Sequence, residues 1–166
     1  MRIEVSRDVF RLAQVFTISR GSRTEAQVLT VRISDGGVTG WGECVPYARY
    51  DETLESVTAE IKGLPSSFGR ADLYDLLPAG AARNAIDCAW WDLEAKQTGK
   101  RVWELASLSA PGPEITAYTL SLDTPEKMQA QAALHAHRPL LKIKLGTPDD
   151  MPRLEAVRAG APDAQI

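Results

Sequence analysis

The sequence predicts an α+β domain over residues 1–112, followed over residues 113–166 by the first two β/α units and the start of the third strand of a (β/α) barrel, which is incomplete in this chain. Three observations predict this fold. A glycine-containing turn separates two apolar stretches within 26–45, a long amphipathic helix follows Pro78, and strand-like and helix-like stretches alternate after a proline-containing linker.

The composition is that of a folded domain without a strong charge bias. Of the 166 residues, 44% are hydrophobic and 25% charged, and the net charge is −3. This excludes a disordered chain and gives no indication of nucleic acid or a membrane surface as a partner. Residues 1–12 are charged throughout and no apolar run approaches about 18 residues, so we expect neither a signal peptide nor a membrane span. Cys44 and Cys88 form no metal motif or disulfide framework, which favours a reducing, cytoplasmic location.

The first elements are a β-hairpin and a helix. Strands are predicted at 26–34 and 38–45, because an Asp-Gly-Gly turn lies between two apolar stretches. A helix is predicted over 50–64, with Asp51 or Thr53 as its N-cap and apolar residues at helical spacing.

The strongest helix prediction follows Pro78. Six apolar residues fall on one stripe and Gly99 follows the last turn, as a C-capping glycine does. The stripe consists of Ala82, Ala85, Ile86, Ala89, Trp90 and Leu93. Trp90 and Trp91 are interpreted as core residues.

The second half alternates between strands and helices after a linker at 107–114. Short loops between such elements indicate parallel β/α units, and a barrel needs eight of them. The predicted order is strand 115–122, helix 124–137, strand 139–146, helix 147–161 and the beginning of a strand at 163–166.

Two lysines, Lys142 and Lys144, lie one residue apart within the apolar stretch 139–146. Side chains alternate along a strand, so both lysines leave the same face. An isolated Lys-x-Lys is usually exposed to solvent. In a barrel, however, Ile143 would face the helices and the lysines would face the interior, near the strand end where barrel active sites form.

The lysine pair has a chemical rationale. The two Cα atoms are about 7 Å apart, and at an effective dielectric constant of ~20 two like charges at that distance repel by about 2 kcal/mol. This repulsion and partial burial both oppose the charged form. A neutral amine can then act as a base.

Several stretches together resemble the enolase superfamily. Gly-Trp-Gly-Glu at 40–43 is common across the superfamily, whereas "SRGSR" at 19–23, "PYARY" at 46–50 and "PAGAARNAIDCA" at 78–89 are more specific. With "LLKIKLG" at 140–146, they are similar to dipeptide epimerases that act on L-Ala-D/L-Glu. The resemblance covers nearly the whole chain and corresponds to the amino-terminal half of such an enzyme.

This resemblance implies a capping domain over the barrel and assigns roles to the lysines. Lys144 is expected to be the base that exchanges the substrate α-proton on one face, with Lys142 in support. A lysine on a later strand is expected to serve the opposite face. Mg²⁺ is the expected cofactor, because it stabilises the enolate that proton removal creates. Its ligands are expected beyond Ile166, so the 166-residue chain alone is expected to be inactive.

The resemblance also assigns the substrate contacts. A flexible capping loop is expected at 19–25, where Arg23 binds the carboxylate of the substrate glutamate. Glu43, Tyr47 and Tyr50 are expected in a second capping loop. Of these, Tyr47 and Tyr50 either line the pocket or pack between the domains.

Other polar residues are given smaller roles. Thr119 is expected to face the site from the first barrel strand. His135 and His137 have no catalytic role, and either is best explained as a charge partner of a helix C-terminus. Asp149, Asp150 and Asp163 are not assigned as metal ligands.

The expected partner is a small dipeptide, with no nucleic acid and no membrane. The oligomeric state is left open, a homo-oligomer included. Two alternatives are also left open: another enolase-superfamily reaction, such as cycloisomerisation or dehydration, and a non-catalytic fragment that acts in binding or assembly.

Overall fold

The computed structural model describes residues 1–146, 148 and 150–166. Its internal contacts divide the chain into two compact units. The first comprises residues 1–10 and 27–111, and the second comprises residues 11–26 and 112–166. The division differs from the predicted one because residues 11–26 group with the second unit.

A three-stranded sheet begins the chain, in the order β1 (Arg2–Ile18), β2 (Gly21–Asp35) and β3 (Val38–Cys44). Strands β2 and β3 are antiparallel, with a register that runs from Leu29 opposite Cys44 to Asp35 opposite Val38. The two turn residues, Gly36 and Gly37, have φ angles of 57° and 81°. Such a turn favours glycine at both positions, and the predicted hairpin is confirmed.

Most of the loop predicted at 19–25 is strand. Only Ser19 and Arg20 form a turn, and strand β2 already begins at Gly21. A connection of two residues between neighbouring strands makes them an antiparallel hairpin. Strand β1 is not predicted from the sequence, because charged residues along it obscure the apolar alternation. Residues 11–26 are called the hairpin tip below.

The helices of the first unit begin with α1 (Leu54–Lys62). Thr53 is its N-cap: the Thr53 hydroxyl accepts from the Ser56 amide and the Ser56 hydroxyl accepts from the Thr53 amide, both at 3.0 Å. This capping box selects Thr53 over Asp51. Short helical turns at 48–50 and 70–72 and the helices α2 (Leu73–Leu76), α3 (Ala81–Thr98) and α4 (Val102–Leu105) complete the set.

Helix α3 covers one face of the sheet with the predicted stripe. Ala82, Ala85, Ile86, Ala89 and Leu93 are fully or almost fully buried, and Trp90 packs against this core. The helix ends at Gly99, whose φ of 70° confirms the C-cap. No helix among the described residues is both long and apolar enough to cross a membrane.

The second unit contains parallel β/α elements. Strands β4 (Tyr118–Leu120) and β5 (Leu141–Ile143) pair in parallel, and the helices α5 (Pro125–Leu134) and α6 (Met151–Gly160) follow them. A parallel bridge between Leu140 and Gln165 begins a third strand. This arrangement is the start of a (β/α) barrel, as predicted.

The bounds of these elements differ from the prediction. Strand β4 is shorter than 115–122, partly because the Leu122 amide bonds to the Thr17 carbonyl oxygen at 3.0 Å rather than to β5. Helix α6 begins at Met151 rather than at 147. Of the residues between, Thr147 and Asp149 lie outside the described residues.

Candidate active site

The lysine stretch presents two different faces. Leu141 is buried and Ile143 partly buried in a core that includes Met128 of α5 and Val157 of α6. Lys142, which lies between Leu141 and Ile143, therefore leaves the opposite face.

That opposite face carries several of the predicted site residues. In the parallel register, Lys142 pairs with Thr119 of β4. Lys142 is exposed, whereas Thr119 and Lys144, directly beyond the end of β5, are half-buried. The structure thus brings Thr119 beside Lys142 and places Lys144 at the carboxyl end of β5. This arrangement places a hydroxyl and two lysine side chains at one edge of the sheet.

The hairpin tip lies at the same edge of this sheet. The Thr17 amide donates to Ser121 Oγ at 2.8 Å, and Ser121 directly follows β4. Ser19 packs against Gly146, where an added Cβ would lie 2.5 Å from the Ser19 Cβ. The space for the hairpin tip therefore depends on a glycine two residues after Lys144.

The candidate arginines belong to this hairpin tip. Arg20 is in the turn and Arg23 is on β2, and both side chains are exposed. Thr17 Oγ1 and Ser22 Oγ are 2.8 Å apart, so a hydroxyl contact joins the two strands next to Arg23. Both arginines therefore belong to the same compact unit as the lysines.

Tyr47 and Tyr50 belong to the first unit. Their ring centroids are 5.8 Å apart, and Tyr50 is 70% exposed. Both line a cleft of about 450 Å³. The other residues of the cleft are Cys44, Val45, Glu52, Ala79, Gly80, Ala81 and Asn84.

Glu52 organises this cleft. Its carboxylate accepts from the Tyr47 amide at 3.2 Å and from the Ala81 amide, at the start of α3, at 2.6 Å. Glu52 thus joins the tyrosine segment to a helix N-terminus, where a negative charge is favourable. No local sequence signal indicates this role of Glu52, because both contacts depend on the fold.

Glu43 and Cys44 are neighbours on strand β3. Glu43 lies on β3, opposite Thr30, so its predicted place in a loop is wrong. Burial, together with Glu52 and Glu43, raises the pKa of the Cys44 thiol to about 11. Cys44 is therefore a protonated thiol at neutral pH.

Among the described residues, no group of three or more His, Cys, Asp or Glu side chains could hold a metal ion. Asp150 Oδ2 accepts from the Gly146 amide at 2.7 Å, and Asp150 also pairs with Arg153. Asp149 lies outside the described residues. The residues present here do not fit a magnesium site.

His135 and His137 lie at the end of α5. The His135 ring packs on Tyr118, with centroids 4.0 Å apart. Burial lowers the pKa of His135, and Arg138 and His137 lower it further. The neutral form of His135 is therefore favoured, against the predicted role as a charge partner of the helix.

A family model and two curated relatives match this chain. The model of the mandelate racemase / muconate lactonizing enzyme amino-terminal domain matches residues 2–106. L-Ala-D/L-Glu epimerase of Escherichia coli K12 is 39% identical over 170 residues, which cover 99% of this chain and 53% of that protein. N-acetyl-D-glutamate racemase of a Pseudoalteromonas species is 44% identical over 145 residues, which cover 84% of this chain and 46% of that protein. The chain spans about half the length of these curated relatives.

Solved structures show the same similarity. A crystal structure of an enolase family member from Agrobacterium tumefaciens, with homology to dipeptide epimerases and with bound sodium and L-Ala-L-Glu, has a TM-score of 0.92 and 51% identity. It covers 98% of this chain and 51% of that chain. The dipeptide epimerase of Methylococcus capsulatus, complexed with Mg and L-Arg-D-Lys, has a TM-score of 0.84 and 28% identity, with 99% and 51% coverage.

Proposed function

This chain belongs to the mandelate racemase / muconate lactonizing enzyme family of the enolase superfamily, and we propose that it is the amino-terminal half of a dipeptide epimerase. The substrates are L-Ala-D/L-Glu-type dipeptides, and the reaction inverts the α-carbon of their carboxyl-terminal residue. The proposal rests on one observation above all, namely the face of β4 and β5 that presents Thr119 and Lys142 away from the helices, with Lys144 at its carboxyl end.

In this proposal, Lys144 removes or returns the α-proton on one face of the substrate. A carboxyl end of a barrel strand is the usual place for such a base. Lys142, on the same stretch, contributes positive charge where negative charge develops on the substrate. Inversion also needs a base on the opposite face, which a later strand supplies.

Arg23 binds the carboxylate of the substrate glutamate, because a guanidinium group matches a carboxylate with two parallel hydrogen bonds. Thr119 provides a hydroxyl next to Lys142. Tyr47 and Tyr50 contribute the wall of their cleft to substrate binding. Each of these roles comes from the family resemblance together with the places that these residues occupy.

Mg²⁺ remains the cofactor that we expect for the full-length enzyme, and a related dipeptide epimerase is complexed with it. We derive no step through a metal, since the described residues do not form its site. Residues 1–166 alone are accordingly expected to show no epimerase activity.

A second candidate function is racemisation of an N-acylated glutamate. The relative from Pseudoalteromonas, an N-acetyl-D-glutamate racemase, favours it. A glutamate-ended dipeptide and an N-acetylglutamate share the acylated nitrogen, the α-carbon and both carboxylates, so the same residues would serve both. Cycloisomerisation, dehydration and a non-catalytic binding role remain weaker alternatives.

A substrate panel separates these functions. The full-length enzyme is incubated in D₂O with Mg²⁺ and L-Ala-L-Glu, L-Ala-D-Glu, N-acetyl-D-glutamate or L-Ala-L-Leu, and proton NMR follows the α-proton signals. We expect deuterium at the glutamate α-carbon and equilibration of the two L-Ala-Glu epimers. Faster exchange of N-acetyl-D-glutamate would favour the second candidate, and no exchange with any of the four would contradict both.

A further inference from the structure

The hairpin tip contacts the strand edge of the candidate active site through one side chain in particular. Ser121 directly follows β4, two residues beyond Thr119, and is half-buried. Its hydroxyl accepts from the Thr17 amide at 2.8 Å and lies 3.5 Å from the Thr17 carbonyl oxygen as a donor. The same carbonyl oxygen accepts from the Leu122 amide at 3.0 Å.

These contacts satisfy both backbone groups of Thr17, although Thr17 is separated from Ser121 by 104 residues. Such backbone groups in the outer part of a hairpin are otherwise left to water. The contact with Ser121 and Leu122 therefore fixes the position of Thr17, and with it the hairpin tip, relative to the end of β4.

Thr17 is linked to Arg23 through a single hydroxyl contact across the hairpin. Thr17 Oγ1 and Ser22 Oγ are 2.8 Å apart across the hairpin, and Arg23 is the next residue. On the other side of the turn, Ser19 packs on Gly146, two residues after Lys144. The hairpin tip is thus held between the ends of β4 and β5, with Arg23 near its point of attachment.

From this geometry we infer that Ser121 is a positioning residue for substrate binding: it docks the hairpin tip so that Arg23 is held in place for the substrate carboxylate. This inference rests on the proposed function for its link to substrate. The docking of the hairpin tip does not depend on that function. Hydrogen–deuterium exchange tests the docking, and steady-state kinetics test its effect on substrate binding.

The expected kinetic effect follows from the populations of docked and undocked hairpin. If Arg23 binds substrate only in the docked state, the apparent dissociation constant rises by the factor by which the docked fraction falls. Once substrate is bound, the docked site of a Ser121 variant is the same as that of the wild type. Loss of the Ser121 hydroxyl should therefore raise KM and leave kcat almost unchanged.

The variants are chosen as a matched pair in the full-length enzyme. Ser121→Val and Ser121→Thr have side chains of nearly equal shape, but only threonine keeps the hydroxyl. Ser121→Ala is a third variant that introduces no extra atoms, and it keeps the test valid if valine is not accommodated. Thermal unfolding of each variant confirms that it is folded.

Hydrogen–deuterium exchange of the ligand-free enzyme tests the docking. We expect loss of one hydrogen bond to weaken docking about fivefold, so amide exchange in residues 15–24 should be faster, by up to that factor, in Ser121→Val and Ser121→Ala and close to wild type in Ser121→Thr. Equal exchange in all four proteins would overturn the docking role, whether or not the enzyme is an epimerase.

Steady-state kinetics with L-Ala-L-Glu test the link to substrate. We expect KM to rise in Ser121→Val by a factor that, multiplied by the factor of faster amide exchange, gives about five, with restoration in Ser121→Thr and no further rise when Ser121→Val is added to Arg23→Ala. An unchanged KM together with exchange that is clearly less than about fivefold faster would overturn the positioning role. A wild-type enzyme without any epimerase activity would contradict the proposed function and leave the docking result standing.

Discussion

Arg23 is the residue for which we propose the main role in substrate selection. It is exposed on β2 within the hairpin tip, in the same compact unit as the lysines. From the sequence, the guanidinium group and the resemblance together predict its role. The hairpin geometry that holds Arg23 is not predictable, because Thr17 meets Ser121 only after folding.

We predict that Arg23→Ala in the full-length enzyme lowers kcat/KM for dipeptides that end in glutamate far more than for dipeptides that end in a neutral residue. Loss of a charge-assisted hydrogen bond in a closed site costs on the order of 2–3 kcal/mol. The measurement is kcat/KM for L-Ala-L-Glu and for L-Ala-L-Leu, with Arg20→Ala as the control. Equal losses on both substrates, or a larger effect of Arg20→Ala, would move the carboxylate contact away from Arg23.

His135 offers a prediction on pH. Because its folded pKa is lowered, the unfolded chain binds more protons than the folded chain as the pH falls below about 6.5. The contribution of His135 to the free energy of unfolding is therefore fully present above that pH and is lost as the pH falls through the folded pKa. His135→Phe keeps a ring against Tyr118 and should reduce this loss between pH 7.5 and pH 5.

The check on His135 is an NMR titration of the imidazole, together with urea denaturation of the wild type and His135→Phe at both pH values. We expect a titration midpoint below about 6.5. A midpoint above 6.5, or a variant that loses as much stability as the wild type, would contradict this interpretation of the stacked ring and its basic neighbours.

At the scale of elements, the contact between β3 and α3 explains two glycines of the Gly-Trp-Gly-Glu stretch. A Cβ added at Gly40 would lie 2.1 Å from the Ala89 carbonyl oxygen, and one at Gly42 would lie 2.0 Å from that of Ala85. The strand and the helix backbone can approach this closely only without side chains at these positions. The motif is therefore structural at these two positions, and it carries no information about substrate.

We predict that Gly42→Ala strongly destabilises the protein. The new methyl group meets backbone atoms that cannot move aside singly, and overpacking of this kind typically costs about 1–3 kcal/mol or more. Gly112→Ala is the matched control, since no atom lies within 4 Å of its added Cβ. Urea denaturation measures both, and equal midpoints for the two variants would contradict the close packing.

The sequence predicts the elements whose signals are local. The hairpin at Gly36 and Gly37, the stripe of α3 and the cap at Gly99 all depend on neighbouring residues, and all three are confirmed. Strand β1 and the hairpin tip are not predicted, because their pairing partners rather than their composition decide their conformation. The lysine face is predictable from alternation, whereas the contacts of Ser121 and Glu52 are made between distant segments.

At the scale of the whole molecule, the hairpin tip belongs by contacts to the second unit although it comes early in the chain. Arg23 and Lys144, for which we propose substrate selection and proton transfer, therefore belong to one compact unit. The chain spans about half the length of its curated relatives.

We propose that Lys144 is the base on one face of the substrate and that a later strand supplies a second base on the other face. Inversion needs both bases, and one side chain reaches only one face. Lys144→Ala in the full-length enzyme should therefore abolish epimerisation in both directions, by at least about a hundredfold. Lys142→Ala should also reduce activity strongly, through lost charge stabilisation, and Lys100→Ala is the control on the surface.

The most direct measurement is deuterium incorporation into L-Ala-L-Glu and L-Ala-D-Glu, followed separately by NMR in D₂O. For Lys144→Ala, the account predicts no conversion between the epimers, with α-proton exchange retained for one epimer through the remaining base. Epimerisation at a rate near that of the wild type would contradict the role of Lys144 as a base, and the pair Lys142 and Lys144 would then be a structural feature.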